Sequence, residues 1–335
     1  MQSMWRLFIA PSVVSVVTLL AVWYWGGVAA LSLAFFLAIL EISLSFDNAV
    51  INAKVLSQMN GIWRQRFLTW GMLISVLGAR LLLPMLIVAL AAHVSPLFIA
   101  YLVFADPAGY AHLVSSIEST VYSFGAAFLM MVSLKYFFNK AKEVHWLSGI
   151  ERRLVVWGRV NAVEVFVTLS ALLGMAWVLP KDASTILSAG AVGIILFILM
   201  EGVVEMLGAS ASSLARGGVG LFLYINLLDA AFSLDGVIGA FALTSQVLII
   251  VAGLGIGAYF VRSLTMLFVR RRTLATLVYL EHGAYWAIFA LSLCMFIGLA
   301  RPVPDSVVAL VSILFIGSAY LSSLHARRTH ISDAL

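Results

Sequence analysis

Ten apolar runs recur along the chain, roughly at residues 7–25, 28–56, 67–92, 118–138, 160–180, 184–207, 217–243, 246–268, 276–298 and 304–323. Each is about as long as the ~20 residues that carry a helix across a bilayer, or longer. Of the 335 residues, 63% are hydrophobic and only 10% are charged, and the mean hydropathy is +1.08. A water-soluble domain of this length does not have that balance. Inside a bilayer a backbone must satisfy its own hydrogen bonds, so the runs are expected as helices. The fold class is therefore all-α, a polytopic membrane protein with about ten transmembrane helices. The first run follows Arg6 and ends in Trp23-Tyr24-Trp25, which reads as a retained span with an interfacial aromatic belt rather than a cleaved leader. Residues 93–112, interrupted by Pro96, Pro107 and Gly109, read as an interfacial or re-entrant piece.

Charge placement orients the chain. With the N-terminus in the cytoplasm and alternating spans, the inner side collects most of the arginines and lysines, including Arg64, Arg66, Lys140, Arg152, Arg153, Arg159 and Arg270 to Arg272. The outer side collects only Lys181 and Arg301. This is the positive-inside pattern, with both termini cytoplasmic. The net charge of +5 therefore reports topology rather than nucleic-acid binding. The longest inner loop, 139–159, is basic and is expected to meet membrane lipid. The single cysteine, Cys294, excludes an intrachain disulfide.

Two of the runs carry acids at matching spacing. EISLSFDNAVINA occupies 41–53 and DAAFSLDGVIGAF occupies 229–241. Glu41 aligns with Asp229, Ser45 with Ser233, Asp47 with Asp235, and Asn48 with Gly236. Counting spans gives the two copies opposite directions, an inverted-topology repeat. Its halves would be residues 1–183, spans one to five, and 184–335, spans six to ten, within one membrane domain. Such repeats place a substrate site near the midplane at their interface. Arg80 and Arg262 each fall in the span after the motif, and Gly125 and Gly283 in the span after that.

On a helix of 3.6 residues per turn, Glu41, Ser45, Asn48 and Asn52 share one face, as do Asn226, Asp229, Ser233 and Gly236. The step to Asp47 or Asp235 turns away from that face, so convergence of all four acids calls for an irregular helix near Asp47-Asn48 and Asp235-Gly236. Clustered carboxylates need protons, arginines or a bound cation. The motifs are rich in oxygen and hold no Cys or His, which suits Mn²⁺, Ca²⁺ or Mg²⁺ better than softer metals.

The paired motifs SFDNA and SLDG, each preceded by an acid, resemble the TerC family of integral membrane proteins, part of the lysine-exporter superfamily. The resemblance covers most of spans two to four and seven to nine. It departs at Gly236, which stands where the first copy has Asn48. It implies helical repeats and, for several members, efflux of manganese or a related divalent metal. The expected function is thus secondary transport of a divalent cation, Mn²⁺ before Ca²⁺, in a bacterial cell inner membrane. Glu41, Asp47, Asn48, Asp229 and Asp235 would hold the metal, with Ser45, Ser233, Asn226, Arg80 and Arg262 in support. Proton antiport through the same carboxylates would be a natural coupling.

Other readings stay open at this point. The superfamily includes amino-acid exporters, and a carboxylate-rich site also suits a basic amino acid. Two membrane aspartates evoke an intramembrane aspartyl protease, but SLDG lacks that class's GxGD, and no triad, HExxH or P-loop accompanies it, so no enzyme activity and no cofactor are expected. Glu201 and Glu205 share a face of span six and suggest a proton path, a cytoplasmic vestibule or merely a polar helix end. Glu164, Glu281 and His282 are isolated polar groups; Lys54 and Lys135 lie where side chains snorkel. Gly253, Gly255 and Gly257 read as close helix packing.

Overall fold

A computed structural model describes residues 6–67, 83–209, 220–222, 225–226, 246–271 and 277–332. Among the described residues every regular element is a helix and there is no strand. The elements are α1 (Arg6–Leu44), α2 (Phe46–Gln58), α3 (Gly61–Arg66), α4 (Leu83–Ala91), α5 (Pro96–Ala105), α6 (Pro107–Ser116), α7 (Glu118–Phe137), α8 (Ser148–Trp157), α9 (Val163–Val178), α10 (Ala183–Ala209), α11 (Val247–Arg271), α12 (Leu280–Gly298) and α13 (Asp305–Ser332).

Among the described residues, six stretches are long and apolar enough to cross a membrane: Leu7–Ser43, Glu118–Phe137, Ala183–Gly202, Leu248–Val269, Leu280–Gly298 and Val307–Arg327. The chain is an all-helical membrane protein. The lipid-compatible surface of α1 is plain in Ile9, Val13, Val16, Val17 and Leu20, all exposed. α9 is apolar but shorter, at 16 residues. Most of the expected seventh span and much of the third lie outside the described residues.

The expected boundary between the first two spans falls inside α1. Gly27 has φ 70 and ψ −166, a backbone shape open to glycine and costly for residues with a Cβ, so two helices meet there at a kink. The prolines also act as anticipated. Pro96 and Pro107 open α5 and α6, where a missing N–H costs nothing. Ser95 Oγ accepts from Phe98 N at 3.2 Å, and Asp106 Oδ1 accepts from Gly109 N at 2.9 Å. Gly109 does not break the chain; it sits in the first turn of α6 beneath its Asp106 cap.

The chain divides into two compact units. One comprises Met1–Val121 and Val203–Arg270, the other Tyr122–Gly202 and Arg271–Leu335. In the first, Val22, Ala30, Ala34 and Leu37 of α1 form a core with Ile249, Ile250 and Leu254 of α11. In the second, Gly125 of α7 faces Met295 of α12, and Gly283 of α12 faces Ala319 of α13. Ser292 Oγ donates to Ala126 O at 3.0 Å, tying α12 to α7.

Candidate functional site

The first motif lies at the junction of α1 and α2. The helix is irregular at Ser45, with φ −99 and ψ 14. It is not unwound: Ser45 N donates to Glu41 O at 2.9 Å and Ala49 N to Ser45 O at 3.3 Å. The distortion thus falls two residues before Asp47 rather than at Asp47-Asn48. Ser45 Oγ donates to Glu41 Oε1 at 2.7 Å, so the serine that gives up regular helical geometry also fixes the first acid.

All but one of the polar side chains on this motif are enclosed, Ser43 being the exception. Glu41, Ser45, Asp47, Asn48 and Asn52 are all buried, Asp47 completely. The unbroken buried stretch from Asp47 to Ala53 takes in every face of α2. Asp47 therefore does not look at lipid even though it is off the Glu41 face. Asp47 Oδ1 accepts from Asn48 N at 2.9 Å. Asp47 Oδ2 and Asn48 Oδ1 are buried and, in the structure described, accept no hydrogen bond. Such acceptors are rare in protein interiors, because an unsatisfied buried oxygen costs about 1–3 kcal/mol and a charged one more. Oxygen atoms that lack donors are suited to a cation or a proton.

The side chain of Glu41 is seated against α11. A Cβ on Gly257 would lie 2.5 Å from both Cβ and Cγ of Glu41, and one on Gly253 would lie 2.6 Å from Leu37 Cβ. Gly253 and Gly257 are thus the close-packing glycines, whereas Gly255 faces open space. Arg262, five residues beyond Gly257, is half-buried on α11.

Of the second motif's supporting residues, Asn226 is described. It is buried, its Nδ2 donates to Phe222 O at 2.7 Å, and its Oδ1, like Asp47 Oδ2 and Asn48 Oδ1, is a buried acceptor with no donor among the described residues. The Phe222 ring packs on Trp63 and Phe67. Asp229, Ser233, Asp235 and Arg80 lie outside the described residues. Among the described residues no three of His, Cys, Asp and Glu gather as metal ligands, and the site's described carboxylates, Glu41 and Asp47, both come from the α1–α2 segment.

The second unit carries two ionic clusters. Lys135 Nζ lies 2.8 Å from Glu201 Oε1 and 3.7 Å from Glu164 Oε1, joining α7, α9 and α10. Lys135 is thus paired, beyond the snorkelling expected of it. The Glu205 side chain lies outside what is described.

The other cluster centres on Glu151, in the loop that sequence reasoning treated only as basic. Glu151 is fully buried on α8. Its carboxylate accepts from Lys142 Nζ at 2.9 Å, Trp286 Nε1 at 3.0 Å, Trp146 N at 3.2 Å and Leu147 N at 3.3 Å. Lys142 also rests over the Tyr136 ring, 4.2 Å from its centroid. Burial alone would raise the Glu151 carboxyl, but the hydrogen bonds from Lys142 and Trp286 outweigh it and hold the group below its ordinary range. His282 Nε2 lies 2.7 Å from Val144 O. A carbonyl only accepts, so this nitrogen carries the proton and His282 serves as a structural tie for the loop.

Residues 46–330 match the family described as Protein of unknown function (DUF475), and the chain belongs to that family. No curated protein and no solved structure matches the chain.

Proposed function

We propose that this member of the DUF475 family is a secondary transporter that exports a divalent metal cation, Mn²⁺ first and Ca²⁺ second. The observation that carries this reading is the buried pair of donor-free oxygens, Asp47 Oδ2 and Asn48 Oδ1, nearly two turns beyond a Glu41 carboxylate already held by Ser45. An enclosed carboxylate without a cationic partner would be an unexplained expense in a membrane helix; as part of a passing dication's coordination sphere it has a purpose. The likeness of SFDNA and SLDG to the TerC motifs supports the same cargo.

The complete site would join Glu41, Asp47 and Asn48 to Asp229 and Asp235 across an inverted repeat of ten spans. Two observations support the repeat. The compact units draw on both halves of the chain, an arrangement that groups the expected spans two to five with seven to ten, although span six falls mainly in Tyr122–Gly202 of the second unit and span one in the first. The packing face of α11 also recurs in sequence: Gly253, Gly257 and Arg262 are matched in spacing by Gly71, Ser75 and Arg80. Alternating access between the halves would expose the ion to either side in turn. Export against a negative interior is opposed by about 2.3 kcal/mol per charge per 100 mV. Protons returning on the emptied carboxylates would drive it. The basic loops favour cytoplasmic termini in a bacterial inner membrane.

Uptake of ⁵⁴Mn²⁺ into inside-out vesicles tests the proposal. Asp47→Asn and Asp235→Asn should each abolish proton-gradient-dependent uptake while the protein remains in the membrane. Full activity in both variants, or transport of lysine with no response to Mn²⁺, would overturn it.

A further inference from the structure

We propose that α8 is a docking element for anionic phospholipid, binding headgroups of the membrane in which the protein sits through Arg152, Arg153 and Arg159. The inward side of this helix is fixed: Glu151 is fully buried and takes hydrogen bonds from Lys142 and Trp286. That anchor determines which side chains face out. They are Ile150, Arg152, Arg153, Val156 and Trp157, all exposed, followed by exposed Arg159 and Val160. Trp157 is 60% exposed and Val156 56%. Arg152 and Val156 are one turn apart, as are Arg153 and Trp157, so each guanidinium has an apolar neighbour on the same exposed surface.

This mixture suits one environment. A face wetted only by water gains nothing from an outward tryptophan beside aliphatic side chains. A face buried in hydrocarbon would not carry two arginines. The boundary between headgroups and acyl chains accommodates both, with the tryptophan and aliphatic groups dipping inward and the guanidinium groups meeting phosphate. The position in the chain agrees, because α8 ends at Trp157 and the apolar α9 begins at Val163. The charge agrees as well. With Lys142 neutralised by Glu151, residues 139–162 retain Lys140, Arg152, Arg153 and Arg159 against the single acid Glu143, a net charge of +3. Basic clusters beside a span attract anionic leaflets, by on the order of fivefold in preference per charge.

The test uses the full chain in nanodiscs of equal phosphatidylcholine and phosphatidylglycerol, with bromine on the acyl chains of one lipid or the other. Trp157 emission is isolated by subtracting the Trp157→Phe protein. Brominated phosphatidylglycerol should quench Trp157 more than brominated phosphatidylcholine does. The excess should disappear in the Arg152→Gln, Arg153→Gln, Arg159→Gln triple variant and persist in the matching triple lysine variant, whose charge is unchanged. Equal quenching by the two lipids, no quenching at all, or an excess that survives the glutamine variant would overturn the proposal. Loss of the excess on adding soluble glycerol phosphate at matched ionic strength would assign the arginines to a free phosphate, and would overturn it too.

Discussion

Gly257 of α11 approaches Glu41 so closely that a Cβ there would lie 2.5 Å from Glu41 Cβ and Cγ, and 3.1 Å from Ala38 O. No real Cβ tolerates such a distance to a neighbouring carbon, so a side chain at 257 has to displace the acid or part the helices. Gly255 supplies a control, since it faces open space. Gly257→Val should lower Mn²⁺ transport by roughly 5- to 150-fold, the equivalent of the ~1–3 kcal/mol that overpacking costs. Gly255→Ala should transport normally and melt slightly higher, as expected for alanine replacing glycine within a helix. Transport rate and apparent melting temperature of both purified variants check this, and normal transport by Gly257→Val would dissociate Glu41 from the ion path.

Ser45 is the second handle on Glu41. Its hydroxyl donates to Oε1 at 2.7 Å from the same residue at which the helix departs from regularity. Removing one such bond costs about 1 kcal/mol, close to a fivefold change in an equilibrium constant. Ser45→Ala should therefore weaken Mn²⁺ binding by about that factor, and Ser45→Thr, which keeps the hydroxyl, should restore it. Titration calorimetry on detergent-solubilised protein reads both. An unaltered affinity in Ser45→Ala would mean that Glu41 does not ligate the metal.

What could be read in the sequence was whatever a short stretch determines alone. Pro96 and Pro107 mark interruptions because a proline lacks the N–H that a helix interior requires, and the structure adds that each opens a new helix. The glycine pair before residue 28 separates two apolar runs, and Gly27 turns out to hold the left-handed backbone there. Burial of Glu41, Asp47 and Asn48 follows from the expense of polar groups in lipid. The place where the helix distorts did not follow. Spacing directed attention to Asp47-Asn48, whereas the irregular residue is Ser45, whose side chain is committed to Glu41. The Glu151 cluster was illegible for another reason: its partners Lys142 and Trp286 are 9 and 135 residues away in the chain. No local pattern announces a bond between a loop helix and a distant span. Asp229, Ser233, Asp235 and Arg80 belong to residues the structure does not describe, so that half of the site rests on the repeat.

The Glu151–Lys142 pair yields a prediction about stability. Lys142 is 6% exposed and Glu151 not at all, so neither charge has water to fall back on. Glu151→Gln takes from the buried lysine the carboxylate it donates to, a change that costs about 3–5 kcal/mol where a buried pair is broken from one side. Replacing both, as Glu151→Leu with Lys142→Met, removes the two desolvation costs together and should be much milder. The pH dependence has a definite sign. The folded-state carboxyl is held below its unfolded value of 4.5, so the carboxylate's contribution is complete above that pH and disappears as pH falls through the lower folded-state value. Wild-type protein should lose melting temperature on acidification below 4.5, and Glu151→Gln, already lower at neutral pH, should lose less over the same interval. Thermal melts of the two proteins across that range decide it. Parallel curves would show that Glu151 is not a source of acid sensitivity.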